Sequence, residues 1–330
     1  MATYNHARYV AQAIRSVLDQ TFVDFEFLIV DDGSQDDTPR IVEAFEDPRI
    51  VFRASIENRG SAARRNELID DSRGEYIAVH NSDDYWPLEK LSRQVEFLDR
   101  HREYAAMFGG ASFVDAEGAP LWTDIVSPFA QPNRSPARWL RHFFTGQNGL
   151  CHPTVMLRRT CHEAVGGYDV RFRQRIDLDM WVRLVKRYAL FVTDEVLVFL
   201  RWHGANASNT NAPDANARWL NEHFLMAERL FDGVSTELLV EGFGDLLVHA
   251  HPPSEEHGEI EKTLLHLRCD SAVGALNRVV GLRRLYALLA SPRHRTILTE
   301  EYGIDHVAFH RLSAGMDTFR RAIHGTPAPS

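Results

Sequence analysis

Three short apolar runs, at residues 25–30, 50–54 and 76–79, alternate with helical periodicity over residues 5–101. The helical stretches are 5–20, with Tyr9, Val10, Ala13, Ile14, Val17 and Leu18 on one face, then 36–45 with Pro39 in its first turn, 62–70 and 88–101. Each apolar run stops at a polar turn signal: Asp31-Asp32-Gly33-Ser34, Asn58-Arg59-Gly60-Ser61 and Asn81-Ser82-Asp83-Asp84. Short, mostly apolar runs of this length suit strands covered on both faces. Their alternation with helices predicts an α/β fold, a mostly parallel sheet with helices on both sides. Such sheets bind ligands outside the carboxyl ends of their strands. Two adjacent carboxylates, Asp83 and Asp84, stand at such an end, and paired carboxylates suit a hard divalent cation that bridges to substrate phosphates. The competing reading is a polar loop with helix-capping aspartates ahead of Pro87.

After residue 105 the rhythm changes. Residues 105–114 read as a strand, 123–134 as a loop, 135–144 as an aromatic-rich helix and 152–157 as a strand. A turn at Gly166-Gly167-Tyr168-Asp169 precedes a helix over 177–187 and a strand over 196–202. Beyond residue 211 there are only helical patterns, broken at Gly233, Pro252-Pro253, Pro292 and Gly303, and residues 326–330 form a tail. Leu264, Leu267, Leu276, Leu282, Leu285, Leu288 and Leu289 recur at roughly helical spacing and need a partner surface; packing against the preceding domain is expected. The arginines 278, 283, 284, 293 and 295, with His294, offer a second use of this region, contact with anionic lipid.

The net charge of -9 disfavours a nucleic-acid partner, since such proteins concentrate Lys and Arg. It also means that an anionic substrate needs local neutralisation by a metal or by placed arginines. Cys151, Cys161 and Cys269 have no CxxC spacing, so reduced thiols and a cytoplasmic setting are expected. No apolar run approaches the roughly 18 residues of a membrane span, and no signal-peptide pattern opens the sequence.

Nine short motifs, in order, resemble family 2 glycosyltransferases of the GT-A fold. They are Thr3-Tyr4-Asn5, Gln20-Thr21-Phe22, Asp31-Asp32-Gly33-Ser34, Asn58-Arg59-Gly60, Arg65-Asn66, Ser82-Asp83-Asp84, Gly166-Gly167-Tyr168, Asp177-Leu178-Asp179-Met180-Trp181 and Arg201-Trp202-His203. The resemblance implies a Rossmann-like GT-A domain over 1–210, with a nucleotide-binding half (1–104) and an acceptor half (105–210). A helical C-terminal extension over 211–330 lies outside it. It further implies an inverting transfer from a nucleotide-sugar donor, a UDP-sugar first, to a saccharide or lipid-linked acceptor, with Mn2+ or Mg2+ as cofactor. By resemblance, Asp84 is the foremost metal ligand, Asp83 a second metal contact or the partner of the ribose, and His203 a third ligand. Thr3, Tyr4, Asn5 and Asp32 match the pocket for the base, and Arg65 a cation near the donor phosphates. Asp177 matches the base that deprotonates the acceptor, with Asp179 in reserve. The expected setting is cytoplasmic, with peripheral contact at the inner face of the membrane through the C-terminal helices as the variant.

Three departures qualify this. Asn81 stands where many members carry the first Asp of Asp-x-Asp, and Ile176 stands where the family has a Glu. The family's first strand, which precedes Pro-Thr-Tyr-Asn, has no counterpart before Thr3. Thr3 and Tyr4 are expected at the carboxyl end of that strand, and a chain extended upstream by an apolar strand is expected to be more stable and to bind nucleotide more tightly. A catalytically inactive relative that binds a nucleotide or scaffolds a complex is the alternative these departures raise.

Overall fold

The computed structural model describes residues 1–121, 129–203, 206 and 213–316. The predicted loop at 123–134 and the tail at 326–330 fall wholly or partly outside these residues. The chain divides into two compact units, Met1–Pro136 with Asn148–Ala215, and Ala137–Gln147 with Asn216–Ser330.

The first unit runs β1 (Ala2–Thr3), α1 (Val10–Leu18), β2 (Phe27–Asp32), α2 (Thr38–Glu43), β3 (Ile50–Ser55), α3 (Ser61–Asp71), β4 (Tyr76–Ala78), α4 (Lys90–Arg100) and β5 (Tyr104–Val114). Helix α5 (Pro136–Phe144) then leaves for the second unit. The first resumes with a 3-10 turn (His152–Thr154), β6 (Met156–Arg158), α6 (Arg159–Val165), α7 (Ile176–Val185) and β7 (Ala189–Arg201). Strands β1, β2 and β3 are parallel neighbours in that order. A second sheet has the order β4-β6-β5-β7, with β5 and β7 parallel and β6 antiparallel to β4 and β5. A parallel bridge between Ala2 and Asn81 joins the two.

The core follows from the periodicity. Val10, Ala13, Ile14 and Val17 on α1 are buried, and Val10, Ile14 and Val17 share a cluster with Phe27 and Ile29 of β2 and Leu91 and Leu98 of α4. Full burial of such aliphatic side chains contributes about 1.5–3 kcal/mol each. Two buried amides tie strands and loops across this core. Gln20 bonds the Ser16 and Pro87 carbonyls and accepts the Leu91 N–H, which fixes the approach to α4. Gln94 bonds the Met107 and Thr154 carbonyls.

Two sequence expectations change. The ladder of the 76–79 run is antiparallel, to β6, so that run is not a strand within an all-parallel sheet. Residues 152–157 are a 3-10 turn followed by a three-residue strand, because Pro153 stands in the turn's first positions and cannot donate to a ladder.

In the second unit, α5 joins α8 (Pro213–Arg229), α9 (Thr236–Phe243), α10 (Glu255–Arg268), α11 (Gly274–Ala290), α12 (Pro292–Glu300) and α13 (His306–Gly315). Ser235, Ser254 and Asp305 cap their helices through the side chain. Ile260, Leu264, Leu267, Leu285 and Leu298 form a core of their own, with Leu282, Leu288 and Leu289 packed against it, so these helices supply partner surface to one another. Much of the arginine charge expected to face lipid is met internally: Arg283 pairs with Glu228, Arg284 with Glu259 and Arg293 with Glu256, and Arg278 bonds the Cys269 carbonyl. Among the described residues no helix is long and apolar enough to cross a membrane.

Candidate active site

The site begins where β1 and β2 end. Asp31 accepts the Gly33 and Ser34 amides at 3.1 and 2.8 Å and so folds its own turn. Gly33 has φ +80°, and a Cβ there would lie 2.9 Å from the Ile56 carbonyl, so the turn requires glycine. Asp32 is buried and accepts the Arg59 and Gly60 amides at 2.8 Å each, and Arg64 Nε at 2.7 Å. A carboxylate offers about four lone-pair positions, so one remains for a ligand N–H. Thr3, paired with Asp31 in the ladder, is buried with its hydroxyl unpartnered among the described residues. Tyr4 is 43% exposed beside it. Asn5 adopts φ 52°; its N–H donates to Ser34 Oγ and its side-chain oxygen accepts the Gln35 amide, both at 2.8 Å.

The loop after β4 meets the end of β7. The Arg201 N–H donates to Asp84 Oδ1 at 2.8 Å, and its Nε donates to the Asp83 carbonyl at 2.9 Å. The rest of the guanidinium reaches the Asp115 and Ala116 carbonyls and Gln12 Oε1, with the Tyr9 and Tyr85 ring centres 4.9 and 5.7 Å away. Two residues on, His203 stacks on Tyr9 at 5.0 Å, gives its N–H to Asn206 Oδ1, and brings Nε2 to 3.2 Å from Asp83 Oδ2. Residues 204, 205, 207 and 208, which follow, lie outside the described residues. His6 completes the group: its N–H donates to Thr38 Oγ1 and its Nδ1 lies 2.7 Å from Ser82 Oγ. One ligand atom from each of His6, Asp83 and His203 falls within 4.8 Å of the others.

This donor set fits a divalent metal. Two imidazoles and a carboxylate are ordinary ligands, and Ser82, by engaging His6 Nδ1, leaves Nε2 for a metal. Burial, with Asp83 opposing it, lowers the His6 pKa, which favours the neutral ligand form. Burial acts to raise the Asp83 pKa, but the His203 hydrogen bond and the charges of His6 and His203 outweigh it and hold the group below its ordinary value.

Asp84, expected as the foremost ligand, lies next to this group and is not one of its three members. It is buried, with one oxygen on the Arg201 N–H and the other accepting Asn81 Nδ2 at 2.9 Å. Burial first, and then the charge of Asp83, push its pKa up to about 8. It braces the loop behind the triad.

Arg65 donates from Nη2 to Asn81 Oδ1 at 3.0 Å, while its Nε is buried and has no partner among the described residues. Burial works against its charge; Tyr168, Asp177 and Asp83 favour it. Asn66 grips the Tyr168 backbone through both its N–H and carbonyl at 2.8 Å, and a Cβ on Gly167 would lie 2.8 Å from Asn66 Oδ1, which accounts for that glycine.

Asp177 and Asp179 open α7 but do different things. Asp177 accepts Asn148 Nδ2 and the Leu178 amide, both at 2.8 Å, and burial raises its pKa. Asp179 is buried in an ion pair with Arg183 at 2.9 Å, and Arg183 in turn bonds the Val165, Gly166 and Gly167 carbonyls. Asp179 therefore holds the turn before Tyr168. Asp179→Asn is expected to lower stability by about 2 kcal/mol, read as a fall in melting temperature, and to leave nucleotide affinity unchanged.

Sequence reasoning missed His6 and Asn148. His6 follows directly on Thr3-Tyr4-Asn5, and that adjacency is the only signal for it. Asn148 carries none.

The sheet, the carboxylate–imidazole cluster at its strand ends and the acid opening α7 define a glycosyltransferase of GT-A fold. The chain belongs to glycosyl transferase family 2, whose family model matches residues 1–164. Bacillus subtilis TuaG, named "Putative teichuronic acid biosynthesis glycosyltransferase", is 32% identical over 220 residues, covering 66% of this chain and 83% of TuaG. Escherichia coli WfaP, a UDP-Glc:alpha-D-GlcNAc-diphosphoundecaprenol beta-1,3-glucosyltransferase, is 35% identical over 104 residues, 32% of this chain and 41% of WfaP. Among solved structures, Staphylococcus aureus TarS 1–349 in complex with UDP superposes with a TM-score of 0.57 at 17% identity, covering 99% of this chain and 91% of that one. The mannosyltransferase PcManGT of Pyrobaculum calidifontis, in complex with GDP-Man and Mn2+, gives 0.50 at 18% identity, covering 99% and 86%. At these identities the structures speak for the fold alone.

Proposed function

We propose that the first unit is an inverting, metal-dependent transferase domain and the second a helical extension without chemistry of its own. The domain moves a sugar from a nucleoside diphosphate sugar, with uridine as the base, to a hydroxyl of a saccharide or lipid-linked saccharide. The observation that carries this is the convergence of His6, Asp83 and His203 at the strand ends, with Asp177 held separately by Asn148.

In this reading His6, Asp83 and His203 hold Mn2+ or Mg2+. When bound, such a cation neutralises the charge that develops on the leaving diphosphate. Arg65 adds its guanidinium to the same anion. Thr3, Tyr4 and Asn5 flank the base, and Asp32 offers it the remaining lone pair. Asp177 takes the proton from the acceptor hydroxyl as the oxygen attacks the anomeric carbon on the face opposite the diphosphate. The names of TuaG and WfaP support a saccharide acceptor in surface-polymer synthesis.

The test is a thermal-shift comparison of nucleoside diphosphates with and without Mn2+. Uridine diphosphate with Mn2+ is expected to raise the melting temperature most, because a ligand bound only by the folded state stabilises it. Equal shifts for all bases, with no effect of Mn2+, would remove both the base and the metal assignment.

A further inference from the structure

We infer that Asn81 is a positioning residue that aims Arg65 without neutralising it, so that the aspartate common in the family would weaken this chain's site. The inference rests on Arg65 acting at the donor diphosphate.

The hydrogen bonds around Asn81 have a forced direction. A guanidinium can only donate, so Arg65 Nη2 takes the amide oxygen, at 3.0 Å. That leaves the amide nitrogen for Asp84 Oδ2, at 2.9 Å. Asn81 thus carries an acceptor on one side and a donor on the other, and both are used. Aspartate has the same shape but no donor. One of its oxygens would neutralise Arg65, and the other would face Asp84 Oδ2 across the same short gap. Asp84 Oδ2 is buried and would lose the donor that Asn81 now gives it, so the exchange also removes a tie in the loop that carries Asp83.

Arg65 meanwhile has capacity to spare. Its Nε is buried and unpartnered, and among the described residues its one hydrogen bond is to a neutral amide. Burying a guanidinium in this state is costly unless an anion completes it. An incoming diphosphate does so, and what it meets is a guanidinium whose hydrogen bond among the described residues goes to a neutral amide. Asn81 therefore fixes the direction of the cation and leaves its charge for the ligand.

The test is calorimetric binding of inorganic pyrophosphate and of uridine diphosphate to the full chain, with melting temperatures recorded alongside. Asn81→Ala removes the aim but no charge, and is expected to weaken both ligands by no more than about threefold. Asn81→Asp is expected to weaken both by roughly tenfold or more. It should add nothing further in an Arg65→Met background, because the residue acts through Arg65. The isosteric variant thus does more harm than the truncation, the reverse of what a residue needed only for shape would give. Wild-type affinity in Asn81→Asp, or weaker binding in Asn81→Ala than in Asn81→Asp, overturns the inference. Should Asn81→Asp not fold, the comparison of Asn81→Ala with Arg65→Met decides: equal losses overturn it, and a much smaller loss in Asn81→Ala supports it. Wild-type binding in Arg65→Met is a different failure, which removes Arg65 from the donor site and takes the inference with it.

Discussion

Asp177→Asn is expected to keep uridine diphosphate affinity within about threefold of wild type and to reduce sugar transfer on the order of 100-fold or more. The substitution removes a proton acceptor and little volume, and its one amide oxygen can still accept the Leu178 N–H, one of the two donors that now take separate oxygens of Asp177. Donor binding does not need the carboxylate, so calorimetry with the diphosphate and a transfer assay should separate cleanly. The pH profile gives an independent check. Burial raises the Asp177 pKa above its ordinary 3.8, and the base works only when ionised, so the rate falls as pH drops through that raised value. Stability runs the other way. The folded chain holds this proton more tightly than the unfolded one, so the group's contribution is present in acid and lost as pH rises through the folded pKa. A flat rate profile, or normal transfer by Asp177→Asn, would return the role of base to another group.

Asp83→Ala is expected to abolish the Mn2+-dependent part of uridine diphosphate affinity, a loss of about 10- to 100-fold, and His203→Ala to do nearly as much. Asp83 supplies the only carboxylate of the cluster and is tied to His203 at 3.2 Å, so its loss leaves two imidazoles with nothing to anchor a hard cation. His6→Ala is expected to weaken Mn2+ less, because Asp83 and His203, which are hydrogen-bonded to each other, remain as a pair of ligands. Direct Mn2+ titration followed by electron paramagnetic resonance reads this without any turnover. Unchanged Mn2+ affinity in both Asp83→Ala and His203→Ala would sink the metal assignment.

What the sequence disclosed divides along a physical line. Local pattern was legible: the strands around Ile29, Phe52 and Ile77, the helix after Asp83-Asp84, and the C-terminal helices between Gly233, Pro252, Pro292 and Gly303 all appear where periodicity and breakers put them. Direction was not. An apolar run such as 76–79 states burial, and nothing in it distinguishes a parallel from an antiparallel neighbour. Helix α6 has no counterpart in the sequence pattern, since its seven residues carry too few apolar positions for a period to show. The site was legible only as residue types in order. Asp83 and His203 lie 120 residues apart and His6 lies 76 before Ser82, so their meeting is a property of the sheet. Which of Asp83 and Asp84 lies beside His6 and His203 turns on which carboxylate faces the Arg201 N–H, and no spacing rule encodes that.

The detour of residues Ala137–Gln147 has a consequence for synthesis. The aromatic face of α5 finds its partners late: Arg141 bonds the Gly242 carbonyl 101 residues further along, and the Phe144 carbonyl meets Asn277 133 residues further along. Phe144 also packs its ring on Phe231, Phe243 and His266. At about 5–20 residues per second, a nascent chain carries this segment uncovered for several seconds or more. During that interval Trp139, Phe143 and Phe144 are a sticky surface on a chain whose transferase strands have already been made. A ribosome stalled near residue 215 would release a product that holds every proposed site residue and yet needs a chaperone to stay in solution.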